Sequence, residues 1–317
     1  MMLEGDTMTA QPQSSYESQL AYSFGKTERW RKIGKALAYL ILTAWAVMSL
    51  LPIYFTFVMS FENLGRSLTM RDIRFWPLEP SLKNYRDLFQ LDAPFWLEKR
   101  PVIRWFINSA LVATVPTISN LIFDSMGGYA LAKMKFPGRN LIFLSIVATM
   151  MIPGFVTFIP LYRMMHEFNW MDTYWALLFP GFAGVGGIFL MKQNIQTLPT
   201  SVLEAARIDA CSELKIYWRI VLPTAKPILA IIGITSFMGG WNSYFWPYLV
   251  SKTRTMLTLQ AGLSSLMGAG ISGMPPSLTD YGIVMAAAVI AAIPMIIVFF
   301  IFQKYVVQGI TVGAVKG

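Results

Sequence analysis

Residues 199–227 read PTSVLEAARIDACSELKIYWRIVLPTAKP, and the rest of the chain is interpreted outward from them. Ser201 followed by Glu204 fits a capping box at a helix start, with Pro199 just ahead of it. Val202, Ala205, Ala206, Ile208 and Asp209 continue that helix. Leu214, Ile216, Tyr217, Trp218 and Ile220 predict a second short helix, ended by Leu222-Pro223. Lys226-Pro227 then leads into a long apolar run. Two short amphipathic helices, with small residues where they meet, make a compact knob of the kind that another protein's groove can grip.

The surroundings of this knob are apolar. A helix needs roughly 20 apolar residues to cross the hydrocarbon core. Six windows qualify: 36–59, 105–132, 140–162, 173–191, 227–251 and 281–303. None contains Asp, Glu, Lys or Arg except 105–132, which contains Asp124. Several hold proline (Pro52, Pro116, Pro153, Pro180, Pro247, Pro294), which helix bundles tolerate because neighbours re-satisfy the freed backbone groups. The whole chain of 317 residues is 55% hydrophobic and 14% charged, where a soluble domain carries about 25% charged residues. The expected fold is therefore all-α: a polytopic membrane protein with six transmembrane helices. The first 20 residues are polar, without a signal-peptide core, and read as a poorly ordered tail. We expect a tail over 1–33 and a six-span domain over 34–317, with the knob inside a loop at 193–226 and a terminal segment at 304–317.

Six spans put both termini on one side of the membrane. With the N-terminus in the cytoplasm, the outer loops after the third and fifth spans carry only Arg163, Lys252 and Arg254 among basic residues, as the positive-inside rule requires. The long loop 60–104 counts for less under that rule. The formal net charge of +9 is then mostly a topology signal, and no nucleic-acid partner is expected. One cysteine, Cys211, excludes an intrachain disulfide and a cysteine-based metal site. One histidine, His166, argues against a histidine-rich metal centre and reads as an outer-loop surface residue. No metal site is expected. There is no G-x-x-x-x-G-K-[ST] phosphate loop, so the chain is not itself an ATPase.

The segment Glu204-Ala205-Ala206, Asp209 and Ile220-Val221-Leu222-Pro223 resembles the signature of the inner-membrane permease subunits of ABC importers. The likeness extends to Asn108-Ser109, to Tyr129-Ala130-Leu131-Ala132, and to Phe136-Pro137-Gly138-Arg139, all similar to the second-span region of carbohydrate-type permeases. It extends further to Trp241-Asn242-Ser243-Tyr244-Phe245-Trp246-Pro247, although an acidic residue is more usual at Ser243. The tail FQKYVVQGITVGAVKG is similar to that of the smaller permease of the maltose importer group. One position departs: the glycine that usually follows Asp209 is Ala210. Glycine takes positive φ freely whereas alanine pays about 1 kcal/mol there. The turn thus either has φ below zero or is strained.

The resemblance implies a type I permease that forms half of a translocation pathway for an oligosaccharide, sugar derivative or polyol in the bacterial inner membrane. Its implied partners are a second, non-identical permease, two copies of an ATPase subunit that bind ATP and Mg, and a periplasmic or lipid-anchored substrate-binding protein. The first knob helix would be the coupling helix that docks on the ATPase, through Glu204, Ala205, Ala206, Arg207, Asp209, Ala210, Cys211, Leu222 and Pro223. The terminal residues Gly309, Gly313, Lys316 and Gly317 would reach the ATPase interface. Trp241, Asn242, Tyr244 and Trp246 combine aromatic faces with polar tips: they line the sugar pathway on one reading and anchor to the membrane interface on the other. Asp124, ionisable inside a span, is either a functional group or a helix-pairing one. The rival class is an ion-coupled secondary transporter, which tends to place ionisable residues at midplane and to carry repeats. A non-transporting membrane scaffold leaves the knob unexplained.

Overall fold

The computed structural model describes residues 14–63, 74–89, 101–266 and 280–314, of which 14–29 and 304–314 as backbone alone. Among them there is no strand. The helices are α1 (Ser14–Met59), α2 (Lys83–Phe89), α3 (Val102–Lys133), α4 (Arg139–Thr149), α5 (Gly154–Glu167), α6 (Tyr174–Leu178), α7 (Val185–Gln196), α8 (Thr200–Ile208), α9 (Glu213–Ile216), α10 (Leu222–Thr224), α11 (Lys226–Trp241), α12 (Phe245–Val250), α13 (Leu259–Leu266) and α14 (Tyr281–Ala314). Residues 1–55 form one unit and 56–317 another. In the first unit, α1 is helical from Ser14, well inside the segment expected to be a tail, and its side chains from Trp30 to Tyr54 are exposed.

Four helical segments are long and apolar enough to cross a bilayer: Trp30–Met59, Val102–Lys133, Tyr174–Gln196 and Tyr281–Gln303. Counting each of two bent pairs as one span brings the number to at most six among the described residues, by length and composition. The window 140–162 is one of these pairs, not a straight span. α4 and α5 meet at 101°, because Pro153 offers no N–H to a continuing helix and pushes Ile152 away from helical geometry. The other bend, 81°, separates the α9–α10 segment from α11 at Ala225, whose φ of −90° and ψ of 6° leave helical geometry, and Pro227 occupies the first turn of the helix that restarts. The window 227–251 is also interrupted. α11 stops at Trp241 and α12 restarts at Phe245, since Pro247 cannot donate to the Ser243 carbonyl.

The second unit is built around α3, which packs along α7 and α11, while α14 packs on α11, α2 and α13. Lipid is as apolar as leucine, so close backbone approach through small residues holds such helices together. Gly128 on α3 is one crossing point, where a β-carbon would overlap Met191 of α7. At one end of this bundle Trp105, Trp241, Leu257 and Leu259 form a buried cluster. At the other, Leu203, Ala206, Ile216, Tyr217 and Val221 gather around Tyr129 and Met191. The terminal segment continues the last helix. α14 carries its helix to Ala314, so Gly309 and Gly313 are helical, while Lys316 and Gly317 lie outside the described residues.

Candidate functional site

The knob begins with α8. Pro199 occupies the N-cap position and no side chain caps the helix, so the expected capping box of Ser201 and Glu204 does not form. Thr200 is already helical, which places Ser201 inside the first turn. Burial then divides the helix into two faces. Leu203 and Ala206 turn inward, whereas Ser201, Glu204, Ala205, Ile208 and Asp209 are exposed. Ile208 is 85% exposed and Ala206 only 8%. Ala206 is therefore a core residue of the knob and not a docking surface, because the spacing of 203 and 206 puts both on the side packed against Ile195, Ile216 and Val221. Fully burying one such aliphatic side chain in this region outside the spans contributes roughly 1.5–3 kcal/mol.

α8 ends in a Schellman motif. The Cys211 N–H donates to the Ala206 carbonyl and the Ala210 N–H to that of Arg207, each at 3.0 Å. This pattern needs a left-handed residue just past the cap, and that residue is Ala210, with φ 56°. Of the two alternatives the sequence left open, the turn is the strained one. Cys211 follows half-buried against the inward face. Ser212 caps α9, its hydroxyl accepting the Lys215 N–H. The helix then widens into a π-helical turn over Tyr217–Val221, just ahead of Pro223, whose missing N–H frees an upstream carbonyl. Leu222 is half-buried and Pro223 exposed.

Polar side chains fasten this knob to α3. The Tyr129 hydroxyl donates to Glu213 Oε2 at 2.6 Å, and Arg207 Nε donates to Glu213 Oε1 at 2.8 Å. The hydroxyls of Ser125 and Tyr217 are 2.6 Å apart. Lys133 Nζ donates to the Leu198 carbonyl at 2.6 Å. The Arg207 guanidinium, and after it the Tyr129 hydroxyl, hold the Glu213 carboxyl below its ordinary pKa. Ser125, Tyr129 and Lys133 recur every four residues on one face of α3. That polar row at the end of an apolar helix was visible in the sequence, but nothing there showed that Glu213 would meet it.

Deeper in the bundle, Asp124 is 1% exposed and its Oδ1 accepts the Gly184 N–H at 2.9 Å. It thus caps the N-terminus of α7 from a neighbouring helix, the pairing role allowed by the sequence. Asn120, one turn away, donates to Ser236 Oγ on α11 at 3.2 Å. At the far end of α3, Asn108 Nδ2 donates to the carbonyls of Thr255 and Leu257, both at 2.8 Å. Ser109 Oγ accepts the Leu259 N–H, and Trp105 Nε1 donates to the Arg254 carbonyl at 2.6 Å. The Asn-Ser pair thus clamps the loop between α12 and α13.

The four aromatic and amide candidates do not act together. Trp241 is 1% exposed, with its Nε1 on the Ala291 carbonyl at 3.0 Å and its ring edge-on to Phe106. It packs between Phe106 and Phe237. Trp246 is half-buried, with Nε1 on the Ala176 carbonyl at 2.8 Å. Only Asn242 and Tyr244 are exposed. His166 is exposed as well. Among the described residues no three His, Cys, Asp or Glu side chains gather into a metal site.

This arrangement has known counterparts. The model of a family described as binding-protein-dependent transport system inner membrane component matches residues 125–312. The chain is 32% identical over 294 residues to the arabinooligosaccharides transport system permease protein AraQ of Halalkalibacterium halodurans, covering 90% of this chain and 99% of that protein. It is 35% identical over 204 residues to the sn-glycerol-3-phosphate transport system permease protein UgpE of Yersinia pestis, covering 64% and 71%. A chain from the crystal structure of a bacterial ABC transporter involved in the import of the acidic polysaccharide alginate superposes with a TM-score of 0.73 at 26% identity, covering 86% of this chain and 96% of that one. With the family model spanning the knob and most of the helices around it, the chain belongs to the inner-membrane components of binding-protein-dependent transport systems.

Proposed function

We propose that this permease forms half of the path for a carbohydrate in an ATP-driven importer, paired with a second, non-identical permease and seated on two ATPase subunits that bind ATP and Mg. A substrate-binding protein delivers the sugar. The observation that carries this reading is the two-sided α8. Its inner face is locked into the knob, while Glu204, Ala205, Ile208 and Asp209 present an exposed surface outside the apolar spans. A rigid protrusion with an exposed isoleucine and two flanking carboxylates suits docking into a partner's groove. Closure of the ATPases then tilts the spans as rigid bodies between two access states.

The carbohydrate assignment is supported by the relatives: one carries arabinooligosaccharides in its name, and the structural neighbour belongs to an importer of alginate. We place both termini and the knob in the cytoplasm, on the distribution of basic residues. Asn242 and Tyr244 are the two pathway candidates left exposed. Asp124, the group that an ion-coupled carrier would use, is engaged with Gly184. The test is uptake of a labelled oligosaccharide into proteoliposomes holding the complete importer, with its binding protein outside and ATP inside. Uptake that requires ATP supports the reading. Uptake that follows an ion gradient without ATP overturns it.

A further inference from the structure

We infer that Glu213 is the residue through which movement of the knob reaches the second span, because its carboxylate holds Arg207 of α8 with one oxygen and Tyr129 of α3 with the other. This rests on the coupling role proposed above for α8.

α8 and α3 belong to different parts of the chain, and three things join them. The first is the apolar packing of Leu203 and Ala206 against Tyr129, Met191 and Ile195. Such packing resists compression but is non-directional. The second is the backbone, which runs from α3 to α8 only by way of α4, α5, α6 and α7. The third is the polar bridge. A carboxylate that bridges a guanidinium and a phenol, one charge-assisted hydrogen bond on each oxygen, ties the two helices at a set distance. It works in tension as well as compression, which apolar contact does not. Both hydrogen bonds are short, 2.6 and 2.8 Å, and a second link, Ser125 to Tyr217, lies one turn along α3 and keeps α9 from rotating about the first.

Arg207 is thereby assigned inward, toward Glu213, rather than to the ATPase surface. The Arg207 and Glu213 side chains keep 36% and 44% of their exposure. At that exposure an ion pair adds little to stability. A group that contributes little to folding yet ties two moving elements together is expected to show itself in coupling more than in melting.

Two measurements on the complete importer decide this, with Tyr129→Phe, Glu213→Gln and the double variant. Hydrogen exchange reads the bridge itself: amides of 203–216 should exchange at least fivefold faster in either single variant, and the double variant should add nothing to them. Uptake per ATP hydrolysed reads the transmission. It should fall about tenfold in both single variants, with assembly and ATP hydrolysis kept within twofold. Glu213→Asp, which retains the charge, should recover part of the loss. Unchanged exchange overturns the bridge. Faster exchange with unchanged uptake per ATP overturns the transmission role, and so does a parallel loss of uptake, hydrolysis and assembly. If the unaltered importer shows no ATP-dependent uptake, the failure lies with the coupling reading, and with it the transmission role; the exchange data then decide only whether the bridge exists.

Discussion

Gly187 of α7 lies directly against the carboxylate of Asp124 on α3, so closely that a β-carbon at 187 would occupy the space of the acid. One residue earlier, Gly186 has open space where its β-carbon would be. Adjacent glycines therefore make opposite predictions. Gly187→Ala should overpack the helix contact and cost about 1–3 kcal/mol, seen as a lower melting temperature in detergent. Gly186→Ala should be neutral or slightly stabilising. Equal melting temperatures for the two would mean that α3 and α7 are not in contact here.

The left-handed Ala210 gives a prediction of opposite sign. An L-residue in this region costs about 1–2 kcal/mol, and glycine returns part of it through the greater entropy of its unfolded chain. Ala210→Gly should therefore stabilise the knob by roughly 0.5–1 kcal/mol. Thermal melting of the purified chain checks this. A destabilisation would show that the Schellman turn is not adopted.

Neighbouring alanines on α8 should also diverge. Tryptophan at Ala206 would have to enter the packed cluster around Ile195 and Val221, so Ala206→Trp should lower the amount of folded protein in the membrane. Ala205→Trp, on the exposed face, should leave folding intact and abolish ATPase pull-down. Retained pull-down by Ala205→Trp would remove this face from the docking surface.

The depressed acidity of Glu213 sets the sign of a pH effect. Its folded pKa lies below the ordinary 4.5, so the folded knob favours the carboxylate. The contribution of the bridge is then fully present above pH 4.5 and is lost as pH falls through the lowered value. Arg207 and Tyr129 are the groups facing it. Exchange protection of residues 203–216 should be flat from pH 8 to 5 after correction for intrinsic rates, and should fall below that. Glu213→Gln should abolish the step.

Topology is open to direct labelling on a Cys211→Ser background. Arg163, at 81% side-chain exposure, and Ile208 lie on opposite sides in our placement. Arg163→Cys should react with an impermeant maleimide added outside intact cells, and Ile208→Cys only after the membrane is opened. The reverse pattern would invert the orientation.

The features legible in the sequence are those that depend on local chemistry. The apolar windows marked where helices lie, and the Glu204-Ala205-Ala206 segment marked the knob. Pro153 reads as tolerated within a span, yet the chain bends by 101° there, and a second bend of 81° lies at the entry to the apolar run that Lys226-Pro227 leads into. The family resemblance places Ala206 on the docking surface, and an aromatic face with a polar tip places Trp241 on the sugar pathway or at the membrane interface. Their burial depends on what packs opposite them, Ile195 in one case and Phe106 in the other, and such pairings across the chain leave no local trace. Tyr129 and Glu213 are 84 residues apart, and only folding brings them together.

The α3 helix is gripped near both ends: by the loop at 254–259 through Trp105, Asn108 and Ser109, and by the knob through Tyr129 and Lys133. From 105 to 133 it spans about 42 Å at 1.5 Å per residue. A stiff rod held at its tips behaves as a lever. If its fulcrum lies where Asp124 and Gly128 press it against α7, the arm toward the loop is about three times the arm toward the knob at 1.5 Å per residue, and a push on the knob tip swings the other tip in the opposite direction by a correspondingly larger distance. The loop at 254–259 would then report the position of the knob, and a spectroscopic label placed there would read the stroke of the motor from the far side of the membrane.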